Sequence, residues 1–221
     1  MLKPIKFNNI PGDKVFFTGC SHFRHSPPWH PSLYESRGFS KIEDHDIWLL
    51  KEYQKLSPDS IVFILGDFCL NTDENDAQNL FNQIPCKKYY IEGNHESQVS
   101  KYYRKLVIDK FQREDFDVFP LTDERNNLTF LGSYAEVIVN GQFIVLNHFP
   151  FAIWNKSHHS SWNIHSHNHA TFKESLPEYP YFKRLDVGID TAKKIFSFRD
   201  VQKIMAGKQI KQLDHHTDGI N

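Results

Sequence analysis

The chain has 221 residues, 39% hydrophobic and 24% charged, with a formal net charge of -1, a balance that suits a globular protein with a substantial core. It gives no sign of a strongly basic nucleic-acid face or an acidic tail, although balanced totals leave room for a local basic patch. No run approaches the roughly 18 apolar residues of a membrane span, MLKPIKFNNIPGDK lacks the apolar core of a signal peptide, and Cys20, Cys69 and Cys86 are too scattered for a disulfide framework; a reducing, cytoplasmic setting is expected.

Val15–Thr18 is an apolar run that stops at Gly19 and reads as a first strand. Ser40 then precedes a helical stripe of Ile42, Leu49, Tyr53 and Leu56, with Glu43 placed as in a capping box. SIVFIL, residues 60–65, is a continuous apolar run of the kind buried on both faces of a sheet. Ala77, Leu80, Phe81 and Ile84 follow at helical spacing, then a strand over 88–91 and a helix carrying Val99, Tyr102, Tyr103 and Leu106. This alternation predicts parallel strands with crossover helices.

The second half is strand-like over 128–131, 134–139 and 143–146, with Asn140-Gly141 as a hairpin turn. Ser197 and Asp200 predict one more capped helix, through about Met205. The expected organisation is a single domain over 1–208, built of two packed sheets flanked by helices, followed by a polar, mobile tail over 209–221.

Histidine is over-represented, at 13 residues, and falls in groups: His22, His25 and His30; His158 and His159; His165, His167 and His169. The strand ends explain the pattern. The first strand runs into Cys20-Ser21-His22, the second into Gly66-Asp67, and the third into Gly93-Asn94-His95-Glu96. FIVLN leads to His148, and WNIHSHNH carries His165, His167 and His169. Carboxyl ends of parallel strands meet at one edge, where ligands bind, so these side chains should converge. Carboxylate, amide oxygen and imidazole donors suit Mn, Fe or Zn. A His-x-His pair on a strand would aim both rings to one face, and Gly66 and Gly93 would let the backbone turn and approach closely.

The order CSH, GD, GNHE, NHFP and SHNH, from about Val15 to Asp190, resembles the calcineurin-like metallophosphoesterases, whose motifs run Asp-x-His, Gly-Asp, Gly-Asn-His-Asp/Glu, His and Gly-His-x-His. His22-Phe23-Arg24-His25 and Arg37-Gly38-Phe39 are similar to segments of the small bacterial and viral members. The resemblance implies a four-layer α/β/β/α sandwich with two divalent metal ions. One ion would take Cys20, His22 and His169, the second Asn94, His148 and His167, and Asp67 would bridge them. His95 would stay off the metals, contact phosphate and protonate the leaving oxygen, a role suited to imidazole. The implied activity is hydrolysis of a phosphomonoester or phosphodiester, on a nucleotide, a nucleic-acid end or another ester; the oligomeric state is left open.

Cys20 stands where the family has its first aspartate, and Ser166 where it has a glycine. A thiolate prefers Zn or Fe(II) over the harder Mn and Mg. Cys20 is therefore a soft ligand, a lost ligand or an introduced change; Cys69 and Cys86 read as packing residues. Arg24, His25 and Arg37 are candidate phosphate contacts, and His158, His159 and Trp162 candidate lining residues on which a base could stack, each with a surface or scaffold role as the alternative. The competing reading of the whole chain is a binding scaffold on the same fold, as some relatives are. Retention of Asp67, Asn94, His95, His148, His167 and His169 favours the enzyme.

Overall fold

The computed structural model describes residues 3–27, 32–112 and 119–211; His30 and residues 212–221 of the expected tail lie outside them. In chain order its elements are β1 (Ile5–Phe7), β2 (Val15–Thr18), α1 (Leu33–Ser36), α2 (Ile42–Gln54), β3 (Ile61–Leu65), α3 (Glu74–Asn82), β4 (Lys87–Ile91) and α4 (Ser97–Phe111). There follow β5 (Leu121–Asp123), β6 (Leu128–Phe130), β7 (Tyr134–Val139), β8 (Gln142–Asn147), β9 (Trp162–His165), β10 (Arg184–Asp186), α5 (Ile189–Ala192), β11 (Phe196–Ser197) and α6 (Phe198–Gly207).

One sheet has six strands in the order β11-β2-β3-β4-β6-β5, the other five in the order β1-β7-β8-β9-β10. In the first, β2, β3, β4 and β6 are parallel, as the strand–helix alternation predicted, and β11 and β5 close its edges antiparallel. The second is mixed: β7 and β8 form an antiparallel hairpin, while β8, β9 and β10 run parallel. The hairpin turns at Asn140 and Gly141 with φ of 48° and 87°, the left-handed pair that an Asn-Gly turn supplies.

Strand alternation sorts the core into layers. Val62 and Ile64 of β3 face α2, α3 and α4 through Leu49, Tyr53, Phe81 and Tyr102, while Ile61, Phe63 and Leu65 face the second sheet through Ile144, Leu146 and Ile164. Rings of Phe17, Phe63 and Tyr89 stack across three neighbouring strands at 5.2 Å. Each such side chain stabilises the fold by about 1.5–3 kcal/mol of apolar burial. This is the expected α/β sandwich of two sheets with helices. The outer face of the five-stranded sheet has a thinner cover, where Val145 packs on Trp154 and Phe182.

Local signals fared unevenly. Ser197 and Asp200 form the predicted capping box of α6. The box predicted from Ser40 and Glu43 is absent, because α2 begins one residue later with Lys41 as its N-cap. Gln209, assigned to the tail, is tied to the domain by its N–H donating to Pro180 O at 2.7 Å. Trp162 is buried between the sheets, its ring 5.6 Å from that of Phe198, so it lines no site.

His165, at the end of β9, is fully buried. Its Nδ1–H donates to Ser166 O at 2.8 Å, and Nε2 accepts from Ser175 Oγ at 2.8 Å. It is a core histidine, and burial pushes its pKa down to about 3. The unfolded chain therefore takes up a proton near pH 6.5 that the native protein refuses. Stability from this group is complete above pH 6.5 and is lost as pH falls towards 3, by about 1.4 kcal/mol per pH unit. Urea unfolding at pH 7 and pH 5 should show a stability loss about 2 kcal/mol smaller in His165→Gln than in the wild type. An equal loss in both proteins would refute this assignment.

Candidate metal centre

Left-handed backbone marks the places where strands give way to the site. Cys20, His22, Asp67, His167 and His169 have φ of 52°, 55°, 52°, 71° and 48°. Such conformations cost non-glycine residues on the order of 1 kcal/mol each and persist where the surroundings hold them. Here Cys20 N–H donates to Gly66 O at 3.0 Å and His22 N–H to Asp67 O at 2.9 Å, which lock the two strand ends together. Gly66 has a φ of 82°, and a Cβ there would lie 2.6 Å from both Gly93 Cα and His148 Nδ1. At Gly93 a Cβ would run into the Asp67 carboxylate. Both glycines serve the close approach predicted for them. The His-x-His argument needs correction: His167 and His169 lie beyond β9, in a loop, and left-handed turns aim them rather than strand alternation.

The loop ends bring donor atoms together around Asp67. His148 Nδ1–H donates to Leu65 O at 2.8 Å, so its Nε2 presents a lone pair. Facing that nitrogen are Asn94 Oδ1 at 2.9 Å, His167 Nδ1 at 3.1 Å and Asp67 Oδ2 at 3.3 Å. Burial disfavours the His148 imidazolium, but Asp67 outweighs it and raises the pKa. Burial likewise opposes ionisation of Asp67, yet its bonds to His148 and the nearby imidazoles hold its carboxyl well below the usual range. A positive charge is thus favoured at this spot.

On the other side of Asp67, its Oδ2 lies 3.6 Å from His22 Nε2. Both ring nitrogens of His22 are buried and lack a hydrogen-bond partner, and burial drives its pKa well down, so the ring is neutral. The donor atoms of Cys20, His22 and His169 lie within 4.8 Å of one another, as do those of Cys20, Asp67 and His148. Metal bonds of about 2.0–2.3 Å set donor atoms at such separations. Cys20 Sγ belongs to both groups and accepts the His167 N–H at 3.0 Å. Unpartnered imidazole nitrogens beside a carboxylate and a sulfur are a donor set that fits borderline dications.

A second ring of contacts holds the donors. His169 Nδ1–H donates to Asp190 Oδ2 at 2.6 Å, which leaves Nε2 free for a ligand. Asp190 in turn accepts from Arg37 Nε and Nη2, both at 2.8 Å. Asp186 accepts from the backbone N–H groups of Gly188 and Ala170 and pins the loop after His169. Glu96 accepts from the backbone N–H groups of Asp67 and Gly93 and from Tyr90 Oη. Its burial raises its pKa to about 7. Asp190, Asp186 and the clamping role of Glu96 had no signal in local sequence, since each acts through partners distant in the chain.

The predicted site residues divide cleanly. Cys20, His22, Asp67, Asn94, His148, His167 and His169 come together. His95 is exposed, its backbone N–H donating to Asp67 Oδ1 at 2.8 Å and its ring 5.8 Å from that of His22. His25 stacks on His22 at 5.1 Å and stands 6.0 Å from His95. Arg37 corrects the expectation of a phosphate contact: it is buried, and the carbonyls of Cys20 and Ser21, His45 and Asp190 take all of its N–H groups. It supports the turn at Cys20 and Ser21 from behind. Arg24 pairs with Asp76 at 3.0 Å, over a surface hollow beside α2. His158 and His159 sit on a short 3-10 turn, their ring centroids 4.1 Å apart.

The family model for calcineurin-like phosphoesterases matches residues 14–190. The chain belongs to the calcineurin-like phosphoesterase family. No curated protein matches. Among solved structures, the protein of unknown function AQ665 from Aquifex aeolicus is similar in fold, with a TM-score of 0.54 at 18% identity, over 86% of this chain and 98% of that one. Membership makes this a metal-dependent phosphoesterase in general terms. No helix among the described residues is long and apolar enough to cross a membrane.

For this phosphoesterase the Asp190–His169 contact carries a direct test. Asp190→Ala should weaken divalent-metal binding about 10- to 100-fold, read by chelator competition on protein whose circular dichroism shows it folded. Unchanged affinity in folded variant protein would remove Asp190 from the metal-holding role.

Proposed function

We propose that this chain is a dinuclear phosphoesterase that hydrolyses a phosphomonoester or phosphodiester with an activated water. The observation that carries the reading is the convergence on Asp67 of His22, Cys20 and His169 from one side and of Asn94, His148 and His167 from the other. Two ions of the Mn, Fe or Zn class would be held there, and once bound they would bind a phosphoryl oxygen, acidify water and offset charge developing on phosphorus.

The chain's own residues supply the rest. Asp67, ionised and fixed through both oxygens, keeps the two donor groups in register. Asp190 holds His169 in the tautomer that presents Nε2. His95, exposed beside the cluster and anchored through its backbone to Asp67, is free to move a proton onto the leaving oxygen. His25, its ring 5.1 Å from that of His22 and 6.0 Å from that of His95, is the first-loop residue best disposed to contact phosphate. A scaffold reading leaves unexplained why the buried His22 ring, with no hydrogen-bond partner on either nitrogen, sits on left-handed backbone beside the Asp67 carboxylate.

Protein loaded with Mn or Zn should release p-nitrophenol from bis-p-nitrophenyl phosphate or p-nitrophenyl phosphate, and chelation should abolish release. His95→Ala should lower kcat by about 10²- to 10⁴-fold with metal content unchanged. No metal-dependent release from either ester, with less than one ion per chain, would overturn the reading.

Cys20 is the departure from the family, and its role follows from charge. Burial first, and the Asp67 carboxylate next, raise its pKa steeply, so the thiol stays protonated unless a dication offsets that cost. Loading with Co(II) should give a thiolate-to-metal charge-transfer band in the near ultraviolet that disappears in Cys20→Ser. The absence of the band in wild-type protein that binds Co(II) would remove Cys20 from the ligand set.

A further inference from the structure

We propose that Phe149 selects the substrate by stacking on a nucleobase, which makes the substrate class a nucleotide or nucleic-acid phosphoester. This rests on the hydrolase reading above. Phe149 directly follows the donor His148, and its ring lies 4.4 Å from that of His167 and 5.0 Å from that of His148. It nevertheless remains 47% exposed. Of the large exposed hydrophobic residues among those described, it is the one in ring contact with the candidate ligands.

The ring does not ride on a loose loop. Asn147 donates its amide N–H to Phe149 O, and Asn163 donates to Asn147 Oδ1. Asn163 Oδ1 accepts the Phe151 N–H at 3.2 Å, and Arg184 Nη1 donates to Phe151 O at 2.7 Å. Two buried amides and a guanidinium therefore fix the backbone that holds an apolar ring in water. A preset π face is what planar bases stack on. Among phosphoesters, nucleotides carry such a face attached to the phosphate through one sugar. Trp162, one of the residues first considered for stacking, does not serve, since it is buried against Phe198.

The test is calorimetric titration of Mn-loaded protein with AMP and with ribose 5-phosphate, which share the sugar phosphate and differ in the base. Wild type should bind AMP about 10- to 100-fold more tightly than ribose 5-phosphate. Phe149→Ala should collapse that ratio towards one, Phe149→Trp should keep it, and ribose 5-phosphate affinity should be the same in all three. Absence of an AMP preference in wild type, its persistence in Phe149→Ala, or failure of either ligand to bind overturns the proposal. Loss of the preference on Phe149→Ala in a protein that hydrolyses no ester would leave stacking intact and sink the hydrolase reading. Hydrolysis of bis-p-nitrophenyl phosphate without a base preference would do the reverse.

Discussion

Everything in this molecule turns on one electrostatic constraint: a buried carboxylate, Asp67, is surrounded by nitrogen and oxygen lone pairs. His148 Nε2, whose ring partner already donates to Leu65 O, faces Asn94, His167 and Asp67 at once. His22 brings two buried nitrogens with no partner. Burying unpaired polar groups costs free energy that a well-packed core has no reason to spend. A cation resolves the conflict, and the supporting contacts make sense as devices for keeping the donors apart from other partners. Asp190 occupies the far nitrogen of His169, and Leu65 O occupies that of His148.

The fold meets this constraint by making two sheets end at the same place. β2, β3 and β4 belong to one sheet and β8 and β9 to the other, yet His148 Nδ1–H and Ser166 Oγ–H both donate to Leu65 O across the rim. The apolar layers between the sheets, with the stacked Phe17, Phe63 and Tyr89 rings, fix the spacing. Strained turns at Cys20, Asp67 and His167 then aim side chains into the rim. Rigid strands set the position and short loops set the chemistry, so the precision of the site comes from core packing rather than from loop order.

The part of this architecture that was legible in the sequence has a physical reason. Strands buried on both faces must be continuous apolar runs, so β3 stood out, and an ionisable residue that interrupts such a run at its end needs an explanation. Asp67, Asn94 and His148 were found that way. The short strands β1, β10 and β11 carry only a few residues each and take their pairing from tertiary neighbours. Arg37 was misread because its partner Asp190 lies 153 positions away; nothing near it in the chain distinguishes a buried clamp from a phosphate contact. His165 looked like its neighbours His167 and His169, and only the turn after β9 separates a core residue from two donors. Phe149 was hidden for the opposite reason, since an apolar side chain beside a motif histidine reads as packing until its exposure is seen.

The most direct measurement is anomalous X-ray scattering from crystals of the protein grown with Mn or Zn. The account predicts two peaks per chain flanking the Asp67 carboxylate, one beside His22 and His169 and the other beside Asn94, His148 and His167. Ordered density for those side chains with no peak at Asp67, or with the metal bound elsewhere, would contradict it.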